Sequence, residues 1–171
     1  MVEKIVGGIV SLFSSFLAIP FGKELIVFII SLMPILELRG GLLAAALLNL
    51  DMVSSYIIAI VGNIIPVPFI LWFMSSILKW MRNSKHFKKI AKWLDEKVNK
   101  RKDQIEKYGF WGLVLFVGIP LPGTGAWTGC LIASVLEMDR KKAFLATMIG
   151  IFMASIIMML LSFGILKNII G

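Results

Sequence analysis

Cysteine, histidine and charge are all scarce in this sequence of 171 residues. The one cysteine, Cys130, and the one histidine, His86, exclude an internal disulfide and the spaced ligand sets of zinc and haem sites. We therefore expect no metal and no cofactor. The sequence also lacks a nucleophile elbow, a P-loop and an HExxH motif, so it predicts no enzyme and no catalytic residue.

Charged side chains make up only 16% of the chain, whereas 58% of the residues are hydrophobic and mean hydropathy is +0.91. A soluble domain carries about 25% charged and about 45–50% apolar residues. The composition therefore excludes a disordered, fibrous or ordinary soluble protein. It predicts an all-α integral protein of the cell membrane.

Three uncharged runs are long enough to cross a membrane, which takes about 20 apolar residues. They predict a first span at 5–22, a second at 52–78 and a third at 143–166. The first run has the position of a signal peptide, but no small-x-small cleavage site follows it. We therefore predict an uncleaved N-terminal transmembrane helix.

Two further apolar regions are interrupted near their centres and predict re-entrant hairpins, which enter the membrane and leave on the same side. The region 25–50 is interrupted by charges and glycines at 37–41, and the region 108–137 by two prolines and two glycines within 120–125. An arm of about 12 residues rises about 18 Å, roughly half of the hydrocarbon core. Irregular backbone is tolerated there only inside protein or beside a polar cavity.

The distribution of charge favours this topology. The segment 79–107 carries 11 basic and 4 acidic residues, which is +7 of the total net charge of +8. The positive-inside rule places this segment and the basic cluster 140–142 in the cytoplasm. If both interrupted regions were full spans, these two clusters would lie on opposite sides of the membrane, whereas two hairpins place both of them inside. The N-terminus is then cytoplasmic and the C-terminus lies outside.

The segment 79–107 also has apolar residues at helical spacing, with lysines on the other face. We predict a cytoplasmic amphipathic helix that lies on anionic lipid. Nucleic acid is not an expected partner because the segment has no recognition motif.

A unit of hairpin, aspartate and span occurs twice. The matching positions are Pro34 and Pro120, Asp51 and Asp139, and Gly62 and Gly150. Because the two units would enter from opposite faces, the sequence predicts an inverted repeat of re-entrant hairpin plus transmembrane helix. Transporters with this architecture place the substrate near the membrane midplane, where discontinuous helices meet.

Glu37 and Arg39 are the two charges that this topology places deep in the membrane. A charge there costs about 2.5–3.5 kcal/mol on insertion scales, so such residues pair or face water. We predict that Glu37 takes up a proton and that Arg39 attracts an anion. The alternative is a buried ion pair that holds the first hairpin together.

Glycines open the second arm of each predicted hairpin. These are Gly40 and Gly41 in the first, and Gly123 and Gly125 in the second, where Thr124 is the predicted N-cap. Helix N-termini with glycines bind anions through their backbone N–H groups. Tight packing of the hairpin arms is an equally good explanation of the glycines.

The remaining candidates lie in the second span and at the second tip. We expect Asn63 to make an interhelical hydrogen bond, or else to contact a ligand, and the prolines that follow it to kink the helix. The second tip adds four candidates, which are Pro120, Pro122, Trp127 and Thr128.

The two tips resemble a known family. Pro34–Gly41 reads PILELRGG and Gly118–Gly129 reads GIPLPGTGAWTG. Together they resemble the small multidrug export protein family over residues 25–165 and, more distantly, the DedA/VTT membrane proteins. The resemblance implies two facing re-entrant hairpins and the movement of lipids or polyprenyl-phosphate carriers. DedA-type proteins carry arginines around the second proline motif, where this chain has the uncharged Gly118 and Thr124.

We therefore predict one membrane domain, 1–171, that acts as a small transporter or a lipid or polyprenyl-phosphate translocase. Its site is expected at the midplane between the two hairpins and is proton-coupled. Expected partners are membrane lipids, an anionic or amphiphilic small molecule, and a second copy of the chain. Two alternatives stay open, namely an exporter of small amphiphilic drugs and a non-transporting membrane organiser that binds anionic lipid through 79–107.

Overall fold

The computed structural model describes residues 20–84, 87–99, 102–121 and 123–165. In these ranges every regular element is a helix, which confirms the predicted all-α class. The elements are α1 (Gly22–Leu32), α2 (Glu37–Leu47), α3 (Met52–Ile64), α4 (Pro66–Asn83), α5 (Lys88–Asn99), α6 (Lys102–Gly118), α7 (Ala126–Val135), α8 (Arg140–Met159) and a π-helical segment (Leu160–Ile165). The predicted first span, 5–22, lies outside the described residues as far as residue 19.

Two helical stretches are long and apolar enough to cross a membrane, judged by length and composition. They are Met52–Met74 and Arg140–Gly164, which match the predicted second and third spans. The first of them is interrupted at Ile65, between α3 and α4. The reason is Pro66, whose ring nitrogen carries no hydrogen to continue the helical bonding. Ile65 itself keeps helical angles, with φ −52° and ψ −46°.

The chain divides into two compact units. Unit one comprises Met1–Ile65 and Ile151–Gly171, and unit two comprises Pro66–Gly150. The first part of α8 belongs to unit two, while its last part belongs to unit one together with the π-helical segment. Each unit contains one helical hairpin.

In unit one, α1 and α2 form a hairpin whose tip is the turn 33–36. The turn is closed by the Glu37 N–H, which donates to the Met33 carbonyl at 3.0 Å. α3 packs against both arms, and the π-helical segment contacts α2. A buried apolar cluster joins the two arms, and its members are Ile26, Ile30, Leu36, Leu43 and Ala44.

In unit two, α6 and α7 form the second hairpin. α6 is divided at Gly109, whose φ of 53° and ψ of −121° suit glycine and strain other residues. The apolar arm of this hairpin therefore begins at residue 110, close to the predicted start at 108. α4 packs against α7, where the Ser134 hydroxyl donates to the Cys130 carbonyl at 2.7 Å.

In both units the glycine that follows the hairpin packs closely against the first arm. A Cβ added to it would stand 2.6–2.9 Å from one backbone oxygen and one Cβ. The contacts are Gly62 with Phe28 and Ser31, and Gly150 with Val114 and Val117. The first-arm residues are 86 positions apart (114 − 28 and 117 − 31), and the glycines are 88 apart (150 − 62). The two-residue difference therefore arises at the hairpin tips.

The segment after each second arm recurs as well. Asn49 and Glu137 take left-handed φ values of 53° and 52°. Asp51 and Asp139 then cap the following helix, because each carboxylate accepts the N–H of the third residue after it at 2.9 Å. These pairs are again 88 residues apart. The predicted order of hairpin, aspartate and apolar helix is thus present in the local contacts of both units.

Two details of the predicted tips are wrong. α2 begins at Glu37, so Gly40 and Gly41 lie within its first turns and do not open it. Helical bonding starts early because the Gly40 N–H already donates to the Leu36 carbonyl at 2.9 Å. Gly125, not Thr124, holds the N-cap position of α7. The Thr124 hydroxyl is engaged within the tip instead, donating to the carbonyls of Ile119 and Leu121.

The predicted amphipathic segment 79–107 is helical but divided. It includes the end of α4, all of α5 and the start of α6. Val98 and Ile105 are buried within unit two, while Lys92 and Lys107 are exposed. The alternation of buried apolar and exposed basic residues agrees with the amphipathic pattern.

Acidification is expected to weaken the start of α3. The Ser54 N–H, donating to the Asp51 carboxylate, lowers the pKa of Asp51 below its ordinary value of 3.8. The cap therefore contributes its full stabilisation above pH 3.8 and loses it as the pH falls through the lowered folded-state pKa. Thermal unfolding in detergent between pH 2 and pH 6 measures this loss of stability. Asparagine in Asp51→Asn caps the helix without ionising, so the stability of this variant should depend less on pH. An identical pH profile for both proteins would contradict the assignment.

Candidate functional site

Glu37 is the buried charge at the tip of the first hairpin. It is the first residue of α2, and only 4% of its surface is exposed. Its backbone has a left-handed φ of 51°, and Ile35 beside it has a φ of 81°. Such angles cost a non-glycine residue about 1–3 kcal/mol and tend to occur at ligand-binding sites, where the surrounding structure imposes them. The tip therefore holds this carboxylate in a strained, fixed position inside unit one.

Arg39 lies two residues further along α2 and is partly buried. Its positive charge interacts with the carboxylate of Glu37. The start of α2 therefore brings together the two charges that the sequence singled out. A guanidinium and a carboxylate side by side compensate part of the cost of burying each of them.

Asn63 lies near the end of α3 and is 1% exposed. Neither its side-chain oxygen nor its nitrogen has a hydrogen-bond partner within the described part of the chain. The expected interhelical hydrogen bond is therefore absent within these residues, and the contact with a ligand stays a prediction. Burying an amide without a hydrogen-bond partner lowers the folding stability by about 1–3 kcal/mol, so a functional reason for Asn63 is worth testing.

The backbone around Asn63 is also short of hydrogen-bond donors. Pro66 and Pro68 have no N–H to give to the carbonyls of Gly62 and Ile64, four residues before them. Three consecutive residues therefore offer polar groups that the helix itself does not satisfy. Polar ligands in membrane transporters are bound at such interruptions of a helix.

Ser162 is a second buried polar residue of unit one, and the sequence did not indicate it. It lies in the π-helical segment, which contacts α2, and is 1% exposed. Its hydroxyl has no hydrogen-bond partner among residues 20–84, 87–99, 102–121 and 123–165. π-helical turns are rare and often mark functional sites. Nothing in the apolar run 143–166 distinguishes this serine, because a π turn has no clear sequence signature.

The close packing of glycines aligns the start of α2 with the end of α3. Gly41 and Gly62 both lie against Ser31 of α1. Glu37 is one helical turn before Gly41, on the same face, and Asn63 directly follows Gly62. The buried carboxylate and the unpaired amide therefore occupy the same end of unit one.

The glycines of the first hairpin are explained by this packing. A Cβ on Gly40 would stand 2.8 Å from Leu36 Cβ and 3.0 Å from Ile30 Cγ2. A Cβ on Gly41 would overlap the Ser31 hydroxyl, which donates to the Val27 carbonyl at 2.7 Å. Of the two explanations that the sequence left open, close packing of the arms therefore has direct support.

The second tip is built from backbone and hydroxyl groups without charge. Gly123 and Gly125 take φ values of 79° and 136°, and Pro122 lies outside the described residues. Pro120 lies in the irregular turn that follows α6, while Trp127 and Thr128 are half-buried in the first turn of α7. The candidate residues of the second tip are thus adjacent, but none of them carries charge.

Metal ligands do not gather in the described ranges, where no group of three or more histidine, cysteine, aspartate or glutamate side chains is found. The site in unit one, which we call the unit-one polar site, consists of Glu37, Arg39 and Asn63. Its chemistry is that of a carboxylate, a guanidinium and a carboxamide. These groups can exchange a proton and bind a polar or anionic group.

Comparison with known proteins gives one match. A family model described as "Putative small multi-drug export protein" matches residues 37–157. The two hairpin tips and the two long apolar helices of this chain lie within that range or overlap its ends. No curated protein and no solved structure matched the chain, so the more distant similarity to DedA-type proteins stays a prediction. Because the family model covers well over half of the sequence, the chain belongs to the small multidrug export protein family of membrane proteins.

Proposed function

We propose that this protein moves an anionic or amphiphilic molecule through the membrane and that the unit-one polar site binds it. One observation carries the proposal, namely that the Asn63 side chain is buried without partners in the described chain. A protein that only needed to fold would gain stability from an apolar residue at this position. A transporter needs polar groups that a passing ligand can satisfy.

Glu37 and Arg39 have complementary roles in this proposal. The guanidinium of Arg39 attracts the anionic group of the substrate, and its single charge matches one phosphate or carboxylate. Substrate and Glu37 then compete for Arg39, so proton uptake by Glu37 would release the guanidinium to the substrate. Proton uptake and substrate binding are thereby coupled through the two charges at the start of α2.

A re-entrant position of the first hairpin belongs to the same proposal. α1 and α2 have 11 residues each, a rise of about 16 Å, which is roughly half of the hydrocarbon core. The tip between them is apolar and open, with Ile35 84% exposed and Met33 also exposed. An exposed apolar tip fits an environment of lipid. That the two tips face one shared site stays a prediction.

The experiment is a flux measurement in proteoliposomes, using fluorescent NBD-phosphatidylglycerol as the anionic amphiphile. Glu37→Gln keeps the shape of the side chain but cannot exchange a proton, and we expect it to lower flux about tenfold or more. Glu24→Gln is the matched control, since this carboxylate is half-buried in α1 of the same unit. Control flux should equal that of the unchanged protein.

Wild-type flux in the folded Glu37→Gln protein would overturn the role of Glu37. The family description favours a second candidate substrate class, the amphiphilic drugs. Ethidium in place of the labelled lipid tests that class with the same variants. Absence of flux for both probes, in protein that is folded by its thermal transition, would favour the non-transporting organiser.

A further inference from the structure

Unit two contains a cleft of about 840 Å³. None of the residues that line it belongs to the unit-one polar site. Its volume lies in the range of about 300–1,000 Å³ that small-molecule sites occupy. It is formed by α4, the loop before α8 and the start of α8. Its lining includes Trp72, Asp139, Arg140, Lys141, Phe144 and Leu145.

The polar and apolar parts of this lining are separated along α8. Arg140 and Lys141 are exposed in its first turn, and Phe144 and Leu145 lie one turn further on, at the i+4 positions of the two cations. Leu145 is 56% exposed, and Trp72 on α4 is 53% exposed. The cleft therefore has cations at one end and open apolar surface at the other.

The acidic member of the lining is engaged within the protein. The Asp139 carboxylate accepts the Lys142 N–H at 2.9 Å as the cap of α8. The lining residues carry two positive charges against this one negative charge, so their net charge is +1. An anion at the cationic end would therefore meet two side chains that can donate charge-assisted hydrogen bonds.

The place of the cleft in the sequence agrees with a membrane interface. Trp72 lies near the end of the apolar stretch Met52–Met74, and Arg140 begins the apolar stretch Arg140–Gly164. Tryptophan and basic side chains are both enriched where hydrocarbon meets head groups, and basic pockets between membrane helices bind anionic lipids. A ligand with a charged head and an apolar chain would span both ends of the cleft.

We propose that this cleft binds one anionic phospholipid. The lipid phosphate lies against Arg140 and Lys141, and the upper part of an acyl chain lies against Trp72 and Leu145. A free phosphate would occupy the cationic end only and would leave the apolar surface unused. The cleft shares no residue with the unit-one polar site. Lipid binding in the cleft can therefore be tested whether or not the protein transports lipid.

The test uses the full-length chain in nanodiscs that contain phosphatidylcholine with or without dibrominated phosphatidylglycerol. Bromine in the acyl chain quenches tryptophan fluorescence on contact, and the difference from Trp72→Phe isolates the signal of Trp72. We expect preferential quenching by phosphatidylglycerol, with an apparent affinity lowered about tenfold in Arg140→Gln/Lys141→Gln. Lys23→Gln removes an exposed charge from α1, outside both the cleft and the segment 79–107, and should keep the affinity.

Three outcomes would overturn the proposal, and a fourth would support it. Equal quenching by dibrominated phosphatidylcholine, or unchanged affinity in Arg140→Gln/Lys141→Gln, would overturn it. Complete displacement of the lipid by millimolar inorganic phosphate would also overturn it, since the acyl chain would then contribute nothing. Reduced quenching in Leu145→Gln, an exposed position where folding is not at risk, would support the apolar half of the site.

Discussion

Replacing Asn63 by leucine is expected to make the protein more stable and to abolish its transport. The two side chains have the same number and branching of heavy atoms, so the substitution exchanges a buried amide without partners in the described chain for an apolar group and leaves no cavity. The free energy of unfolding should rise by about 1–3 kcal/mol, the cost of burying an amide that has no partner. Flux of labelled phosphatidylglycerol should fall to background, because the ligand loses a partner at the interrupted helix. Thermal unfolding in detergent and proteoliposome flux measure the two effects.

Two serine variants provide the control for this prediction, one at a hydroxyl without a partner in the described chain and one at a hydroxyl that donates a hydrogen bond. Ser162→Ala removes a hydroxyl without a partner in the described chain, so stability should be unchanged or higher. Ser134→Ala removes a hydroxyl that donates to the Cys130 carbonyl at 2.7 Å. It should cost about 1 kcal/mol and leave flux unchanged. A loss of stability in Asn63→Leu, comparable with that in Ser134→Ala, would mean that Asn63 has a structural partner and would contradict the account.

Alanine at Gly150 is expected to destabilise unit two strongly. Its Cβ would stand 2.6 Å from Val117 Cβ and 2.9 Å from the Val114 carbonyl oxygen, neither of which can rotate away. Because the helices must separate, we expect the free energy of unfolding to fall by about 1–3 kcal/mol despite the higher helix propensity of alanine. Gly62→Ala should have the same effect in unit one, where the equivalent distances are both 2.9 Å.

Gly164 is the matched control for these two glycines. No described residue outside its own helix turn stands within 4 Å of a Cβ at this position, which lies in the π-helical segment. Gly164→Ala should therefore leave stability unchanged or raise it by about 0.5–1 kcal/mol, the difference in helix propensity. Thermal unfolding of the three variants in one detergent makes the comparison. Similar transitions for Gly150→Ala and Gly164→Ala would refute the close approach of α8 to α6.

Much of the fold follows from where charge and helix breakers lie in the sequence. Uncharged runs located Met52–Met74 and Arg140–Gly164, and the sequence placed Asp51 and Asp139 directly before helices, which the structure shows that both side chains cap. The apolar runs are informative because they are a local property of the sequence. The offset of 86 residues in the first arms and 88 after the tips shows that the two matched segments differ in length by two residues.

The details of the site depended on tertiary contacts that no local pattern encodes. Glycines usually mark a turn, but Gly40 and Gly41 lie inside α2 because Ile30 and Ser31 of the facing arm leave no room for a Cβ. Thr124 has the residue type of an N-cap, yet its hydroxyl is held by two carbonyls within the tip.

Burial explains what the sequence could not indicate about the site itself. Asn63 was visible as a polar residue in an apolar span, but whether it has a partner depends on the facing helices. Ser162 was not visible at all, since its exposure and the π turn that carries it arise only in the folded unit. Only the structure therefore distinguishes a polar residue that has a hydrogen-bond partner within the protein from one that is available to bind a ligand.

Access of a polar reagent to Asn63 tests the central claim most directly. In a Cys130→Ala background, Asn63→Cys would carry the one thiol of the protein, at a position that is 1% exposed. We expect the charged reagent MTS-ethylammonium to label this thiol slowly in proteoliposomes, because the site opens to water. Phosphatidylglycerol should slow the labelling further, because Arg39 still attracts the lipid phosphate to the site even where the amide needed for transport is missing. Ser54→Cys, on the half-exposed start of α3, should label quickly whether or not the lipid is present. No labelling of Asn63→Cys over a time in which Ser54→Cys reacts completely would contradict a transport site in unit one.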